Sequence, residues 1–167
     1  MDASRPNVAI RPARADDLPL VEGIRQAAFA PVFTSFRSLL GDELYDLVQA
    51  RADEAQKDLL VSLLAPESGW EVSVAEVAGT VVGFVSIQLN HETHVGEIGL
   101  NAVHPQQAGQ GIGTRMYDFA VARMTEADMQ AATVATGGDA SHAPARRAYE
   151  KAGFTVQIPS VWLCRRL

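Results

Sequence analysis

The chain has 167 residues, 47% of them hydrophobic and 20% charged, which predicts a single globular domain over residues 1–167. Its net charge of −6 argues against nucleic acid as the principal partner, because phosphate binding requires a basic surface. The single cysteine, Cys164, excludes an internal disulfide and a cysteine-rich zinc site. No apolar run is long enough to span a membrane, and residues 1–6 lack a secretory signal, so we expect a cytoplasmic protein that does not contact a membrane.

The first part of the chain is predicted to form one strand, 8–11, followed by helices. Asp16 or Asp17 is expected to cap the first helix, and Pro31 is expected to end it. The apolar residues of this helix recur at near-helical spacing: Leu18, Val21, Ile24, Ala28 and Phe29. Residues 32–65 are helix-prone but irregular, with expected breaks at 41–42 and 52–53.

The second part reads as strands alternating with two helices. Alternating, valine-rich segments predict a hairpin that turns at 78–79. The predicted strands are 70–77, 80–89, 95–103, 133–136, 154–157 and 161–164, and the predicted helices begin at Gly109–Gly113 and span 143–152. Gly153 is expected to cap the last helix. The pattern predicts a mixed α/β domain.

A glycine-rich loop lies between the strand 95–103 and the following helix. Gly109, Gly111 and Gly113 alternate there. Without side chains, backbone N–H groups can close on an anion while the helix N-terminus adds partial positive charge. A pyrophosphate group is the natural ligand, and a plain glycine-rich turn is the alternative.

Two common phosphate loops fit this segment poorly. The P-loop needs a lysine after its last glycine, and this loop has none. In the dinucleotide-binding pattern Thr114 or Met116 stands where the third glycine belongs, and a hairpin precedes the loop.

The loop instead resembles that of the GCN5-related N-acetyltransferase (GNAT) superfamily, whose signature is Arg or Gln, two residues, and then Gly-x-Gly or Gly-x-Ala. Gly111-Ile112-Gly113 matches the glycine pair, while Ala108 stands where the family has Arg or Gln. Three other segments resemble the family in the right order: 10–18, 97–103 and 148–154.

The resemblance implies a mostly antiparallel sheet that is splayed in the middle and flanked by helices, with acetyl-CoA as a consumed co-substrate and a primary amine of a small molecule or peptide as acceptor. It also implies that main-chain groups near Ala102 and Val103 bind the pantetheine arm. The residues expected to contact the coenzyme are Ala102, Val103, Ala108, Gly109, Gln110, Gly111, Ile112, Gly113, Thr114, His142 and Tyr149. The resemblance to the family also implies a homodimer.

Two side chains are candidates for proton transfer. Glu97 is a candidate base for the acceptor amine, and strand alternation predicts that Glu97, Gly99 and Asn101 share a face. Tyr149 is a candidate acid for the departing thiolate, since the resemblance places it near the sulfur. The alternatives are a solvated carboxylate at Glu97 and a packing role for Tyr149.

Other residues carry weaker signals. Arg146 and Arg147 could reach coenzyme phosphates or could be solvated. His91 and His94 lack metal-site spacing, so we expect no metal. The aromatic residues between 29 and 45 could line an acceptor pocket or belong to the core. A non-catalytic acyl-CoA-binding module and a dinucleotide-dependent enzyme remain as rival functions.

Overall fold

The computed structural model describes residues 6–167, so most of the N-terminal segment read for a signal lies outside the described residues. Five strands and five α-helices follow one another along this part of the chain. The strands are β1 (Val8–Pro12), β2 (Trp70–Val77), β3 (Thr80–Asn90), β4 (Val95–Val103) and β5 (Ala131–Val134). The helices are α1 (Leu18–Leu40), α2 (Asp42–Val48), α3 (Ala50–Leu63), α4 (Ile112–Glu126) and α5 (Ala143–Lys151).

The strands form one sheet in sequence order, β1-β2-β3-β4-β5. The first four are antiparallel neighbours, and β5 runs parallel to β4. The β2–β3 turn has positive φ at both Ala78 (50°) and Gly79 (77°), which matches the twist that tight hairpins require. The parallel step needs a crossover, and α4 supplies it.

Helices cover both faces of the sheet. On one face α4 and α5 bury a core that includes Ile87, Ile98, Met116, Tyr117 and Tyr149. On the other face α1 and α3 bury Val21, Leu60, Val74, Phe84 and Ala102. None of the described helices is long and apolar enough to cross a membrane.

β4 and β5 separate part of the way along their length. Their pairing runs from Val95–Ala131 to Ile98–Val134 and then stops. Residues 99–103 of β4 therefore have no strand on that side within the described chain. The expectation of a mixed, mostly antiparallel sheet splayed in the middle is confirmed.

Two predicted helix boundaries are wrong. Pro31 does not end α1, which continues to Leu40. A proline removes one helical N–H, and contacts of the second half of α1 replace that loss: Ser35 Oγ donates to Asp139 Oδ2 at 3.1 Å, and the Phe36 ring packs on His142. The second break falls at Gln49 instead of 52–53, because buried Asp53 lies inside α3 and accepts bonds from Tyr45 and Gln49.

The C-terminal predictions also need correction. β5 spans Ala131–Val134 instead of 133–136. The predicted strands 154–157 and 161–164 pair with no strand of the described chain, and residues 155–163 are exposed. Helix α5 and its glycine end are as predicted, with Gly153 at φ 94°.

Candidate active site

The gap between β4 and β5 opens into a cleft of about 1000 Å³. Its floor is the unpaired part of β4, and its far wall is the start of α5 with the loop that precedes it. Phe29, Val32 and Leu59 close the side formed by α1 and α3. Residues of the glycine loop line one end of this cleft, so the loop and both catalytic candidates share one cavity.

The glycine loop presents unpaired backbone N–H groups. The N–H groups of residues 109–114 donate to no acceptor among the described residues, and the first bond of this turn runs from Arg115 to the Gly111 carbonyl. Gly109 (φ 79°) and Gly111 (φ 81°) adopt the left-handed conformation that bends the chain into α4. Free donors at a helix N-terminus form an anion site.

Gly113 has a different role from the other two glycines. Its φ is not positive, and a Cβ there would lie 3.8 Å from Ala148 and 3.9 Å from Tyr117 and Val103. These are ordinary contacts, so an alanine fits. Gly109 and Gly111 are therefore the positions that require glycine.

The main chain of β4 offers its hydrogen-bonding groups to the cleft at alternate residues. His104 N–H donates to the Val82 carbonyl at 2.8 Å, and bonded pairs alternate along an antiparallel ladder. The alternation turns the main chain of Ala102 toward β3 and that of Asn101 and Val103 toward the cleft. Of the two residues expected to hold the coenzyme arm, Val103 is oriented for it, and Asn101 replaces Ala102.

A β-bulge overturns the expectation that Glu97 and Asn101 share a face. Val85 pairs with Asn101 and Ile87 with Ile98, so Gly99 and Leu100 together oppose the single residue Ser86. The extra residue shifts the alternation. Asn101 consequently faces α4 and α5, whereas Glu97 faces the side of α1 and α3.

Asn101 joins two tyrosines into one buried network. Tyr117 Oη donates to Asn101 Oδ1 at 2.8 Å, and Asn101 Nδ2 donates to Tyr149 Oη at 3.0 Å and to the Gly99 carbonyl at 2.8 Å. The two tyrosine rings stack with centroids 4.3 Å apart. Tyr149 Oη accepts from the amide and donates in return only a long bond of 3.4 Å to Asn101 Oδ1, so a closer acceptor in the cleft could take its proton.

Burial raises the pKa of Tyr149 above the usual 10, although the hydrogen bonds from Asn101 and Tyr117 partly oppose this rise. Burial also raises the pKa of Tyr117, and the neighbouring Tyr149 adds to the shift. Both phenols are thus protonated at neutral pH. Tyr149 is only 6% exposed, so it combines the packing role with the geometry of a proton donor.

Glu97 lies at the point where β4 and β5 begin to part. It pairs with Thr133 of β5, is exposed, and lines the cleft. The space over Gly99 holds Trp70, since a Cβ on Gly99 would be 2.4 Å from Trp70 Cζ3. Glu97 and Gly99 are two residues apart on one strand face, about 7 Å along the strand, so the indole on Gly99 lies on the same face of the sheet as the carboxylate.

His142 lies at the start of α5 and lines the cleft. Its Nδ1 is 2.5 Å from Asp139 Oδ1, and its ring packs on Phe36 with centroids 6.0 Å apart. Bonds from Ser141 and His142 outweigh partial burial and lower the pKa of Asp139 to about 2. His142 is therefore held in a fixed orientation at the cleft wall.

The adjacent arginines have different roles. Arg146 donates to the Gly137 and Asp139 carbonyls at 2.5 and 2.8 Å, which ties down the loop before α5. Arg147 and Lys151 instead line the cleft. These two cations and the loop amides fit the charge of a coenzyme pyrophosphate.

Sequence reasoning missed Tyr117, which lines the cleft, and two residues that contact its lining: Trp70 against Gly99 and Asp139 against His142. Tyr117 lies one helical turn after Gly113, which could have placed it beside the loop. Trp70 begins a strand two strands away from β4, and its ring packs on Gly99, a residue of the cleft floor. No group of three or more potential metal ligands occurs in the part of the chain that the structure describes.

Comparisons with known proteins agree with this geometry. A profile of the acetyltransferase (GNAT) family matches residues 33–154. No curated protein matches the chain in sequence.

Solved structures share the fold at low sequence identity. A protein assigned to the GNAT family from Desulfovibrio desulfuricans is 19% identical, with a TM-score of 0.67 over 91% of this chain and 87% of the other. A GNAT-family acetyltransferase from Brucella melitensis, crystallised with acetyl-CoA, is 21% identical, with a TM-score of 0.59 over 84% and 80%. The ribosomal-protein-S18-alanine N-acetyltransferase of Escherichia coli is 17% identical, with a TM-score of 0.63 over 88% and 77%. The cleft, its amide-lined loop and the family match lead to one conclusion: this chain belongs to the GNAT family of acetyltransferases, with acetyl-CoA as its co-substrate.

Proposed function

We propose that the protein is an N-acetyltransferase that moves the acetyl group of acetyl-CoA directly onto a primary amine. The observation that carries this proposal is the buried Tyr149 hydroxyl in the cleft wall, which accepts a hydrogen bond from Asn101 at 3.0 Å and donates only a long bond of 3.4 Å in return. A protonated phenol beside the unpaired edge of β4 suits a reaction that releases a thiolate.

The donor is placed by groups along the cleft. The pyrophosphate binds to the free amides of residues 109–114, and Arg147 and Lys151 add positive charge beside it. The pantetheine arm runs along β4 and pairs with the open main chain of Asn101 and Val103. One of these N–H groups faces the thioester oxygen and stabilises the charge that develops on it during attack.

The acceptor amine must lose a proton before it attacks. A lysine-like amine has a pKa near 10.4, so a base is required at neutral pH. Glu97 is exposed at the side of the cleft lined by α1 and α3, and it takes this proton directly or through a water molecule. The amine nitrogen then bonds to the acetyl carbon, the carbon–sulfur bond breaks, and Tyr149 protonates the departing thiolate.

Trp70 and Glu97 indicate the charge of the acceptor. The Glu97 carboxylate attracts an ammonium group, and the Trp70 indole on the same face of the sheet also favours a cation through its ring quadrupole. Aliphatic side chains at Leu59 and Val32 surround the same side of the cleft. We therefore expect an acceptor with an ammonium group on an aliphatic arm, such as a polyamine, an aminosugar or a lysine-bearing peptide.

The test is a screen of amines for acetyl-CoA-dependent release of free coenzyme A thiol, with mass spectrometry of the acetylated product. The panel pairs each cationic amine with its N-methylated or hydroxyl analogue. We expect turnover with at least one aliphatic amine and an acetyl group on nitrogen. Coenzyme A binding without turnover on any amine would instead identify a non-catalytic acyl-CoA-binding module.

A further inference from the structure

The carboxylate of Asp139, in the loop before α5, is surrounded by hydrogen-bond donors. Its Oδ2 accepts from Ser35 Oγ at 3.1 Å and from the Ser141 N–H at 3.0 Å, and the Ser141 hydroxyl donates to the same oxygen. Its Oδ1 lies 2.5 Å from His142 Nδ1. Partial burial raises the pKa of Asp139, but the bonds from Ser141 and His142 outweigh it and hold this pKa at about 2. The group beside His142 is therefore a carboxylate at neutral pH.

This carboxylate decides which ring nitrogen of His142 carries the proton. A carboxylate accepts from the protonated ring nitrogen, so Nδ1 carries the hydrogen and Nε2 keeps its lone pair. Nε2 makes no hydrogen bond to the described residues, and no buried side-chain nitrogen or oxygen among them lacks a partner. Nε2 is thus open to solvent. Because His142 lines the cleft, the cleft wall carries a basic nitrogen.

Two neighbours hold the His142 ring in this orientation. The Phe36 ring of α1 packs on it with centroids 6.0 Å apart. Gly137 lies against the edge formed by Nδ1 and Cε1, where the Cβ of any larger residue would clash. A ring fixed by packing and by a bonded carboxylate is a preorganised proton acceptor.

The acetyl transfer proposed above releases a second proton from the amine nitrogen. The ammonium group gives its first proton to Glu97 before attack. When the neutral nitrogen bonds to the acetyl carbon it becomes positively charged, and a neutral amide forms only after another N–H proton leaves. At that stage Glu97 holds the first proton and Tyr149 still holds its own, so the second proton needs a different acceptor in the cleft.

His142 and Tyr149 lie on either side of the space for this step. Both line the cleft, and they are two helical turns apart at the start and near the end of α5, about 10 Å along the helix axis. Helical side chains lean toward the N-terminus, which brings the Tyr149 hydroxyl back toward His142. A tetrahedral carbon with its sulfur at Tyr149 turns its nitrogen away from the sulfur and toward His142.

We propose that His142 is a second catalytic base, whose Nε2 takes the remaining N–H proton of the tetrahedral intermediate directly or through one water molecule. The proposal rests on the function proposed above. The N–H electron pair stays on nitrogen, the carbonyl re-forms as the carbon–sulfur bond breaks, and the thiolate takes the Tyr149 proton. The Asp139 carboxylate stabilises the imidazolium that forms, which then releases its proton to solvent.

The first test measures His142→Asn with the amine that the screen identifies. Asparagine keeps a donor for the Asp139 carboxylate and removes the ring nitrogen Nε2. The kcat should fall about 100-fold, whereas the Kd of acetyl-CoA, measured by calorimetry, should stay within about threefold of wild type. A kcat within about threefold of wild type would overturn the proposal. A Kd that rises in step with the loss of kcat would also overturn it, because His142 would then serve coenzyme binding alone.

The second test supplies a base to a variant that lacks one. His142→Ala leaves room for free imidazole beside Asp139, and added imidazole should raise its kcat at least about tenfold. His91→Ala, on the exposed β3–β4 turn outside the cleft lining, is the matched control and should not respond. Absence of recovery in folded His142→Ala contradicts the role of His142. A wild-type protein that acetylates no amine contradicts the proposed function, whereas an active wild type with an equally active His142→Asn contradicts the second base alone.

Discussion

Replacing Tyr149 by phenylalanine removes the proposed acid with little other change. The ring keeps its stacking on Tyr117, with centroids 4.3 Å apart. Asn101 Nδ2 loses one acceptor and retains the Gly99 carbonyl at 2.8 Å. One lost hydrogen bond with a partner still satisfied costs about 1 kcal/mol, so we expect the melting temperature to fall by about 2–4 °C.

The effect on catalysis should be much larger than the effect on stability. General acid catalysis contributes about 10²–10⁴-fold, so kcat should fall by about that factor while acetyl-CoA binding stays unchanged. Because burial keeps the Tyr149 pKa above its usual value, the wild-type rate should not lose its acid below about pH 10. Steady-state kinetics and calorimetric binding of acetyl-CoA measure the two quantities separately.

Tyr117→Phe is the matched control. Tyr117 shares the same asparagine and the same ring stack, and its loss leaves Asn101 Oδ1 with the longer 3.4 Å contact to Tyr149. Its stability cost should equal or exceed that of Tyr149→Phe, whereas kcat should stay within about threefold of wild type. Similar kcat losses in both variants, or a loss below threefold in Tyr149→Phe, would refute the acid role.

Three further predictions concern the base, the transfer route and the loop before α5. In wild type kcat/KM should increase as the pH rises, and Glu97→Gln should lower that increase by about 10²-fold or more. A pH profile with unchanged shape and height would mean that Glu97 is only a solvated carboxylate. Cys164→Ala should keep near-native turnover with intersecting initial-rate patterns, since direct transfer needs no acetyl-enzyme; parallel double-reciprocal lines would contradict it. Asp139 has a pKa of about 2 when folded against about 3.9 unfolded, so it adds about 2.5 kcal/mol of stability above pH 4. That stability is lost as the pH falls toward 2. In urea titrations the free energy of unfolding of Asp139→Asn should therefore fall less between pH 4 and pH 2 than that of wild type. An equal fall in both proteins would show that another group causes it.

Local patterns in the sequence predicted the parts of the molecule that depend on local physics. The hairpin turn at Ala78-Gly79, the glycine loop and α4 all follow from residue types at fixed spacing. The cleft itself follows from the order of these elements, because a strand, a glycine loop and a helix define it.

Features that depend on tertiary contacts were not predictable in this way. Strand alternation placed Glu97 and Asn101 together, but the bulge opposite Ser86 separates them, and no local signal marks a bulge there. Helix α1 passes through Pro31 because contacts from the α5 side hold its second half. Residues 161–164 have a strand-like sequence but pair with no strand among the described residues, and strand propensity does not specify which edge a strand pairs with.

The account depends most on the loop amides as the acetyl-CoA site, and calorimetric titration with acetyl-CoA tests this directly. Gly111→Asp places a bulky anionic side chain at a left-handed residue (φ 81°) beside the free amides. Gly79→Asp imposes the same strain (φ 77°) in the β2–β3 turn, away from the cleft. We expect Gly111→Asp to lose binding by at least about 100-fold and Gly79→Asp to bind as wild type; equal affinity in both folded variants would contradict the account.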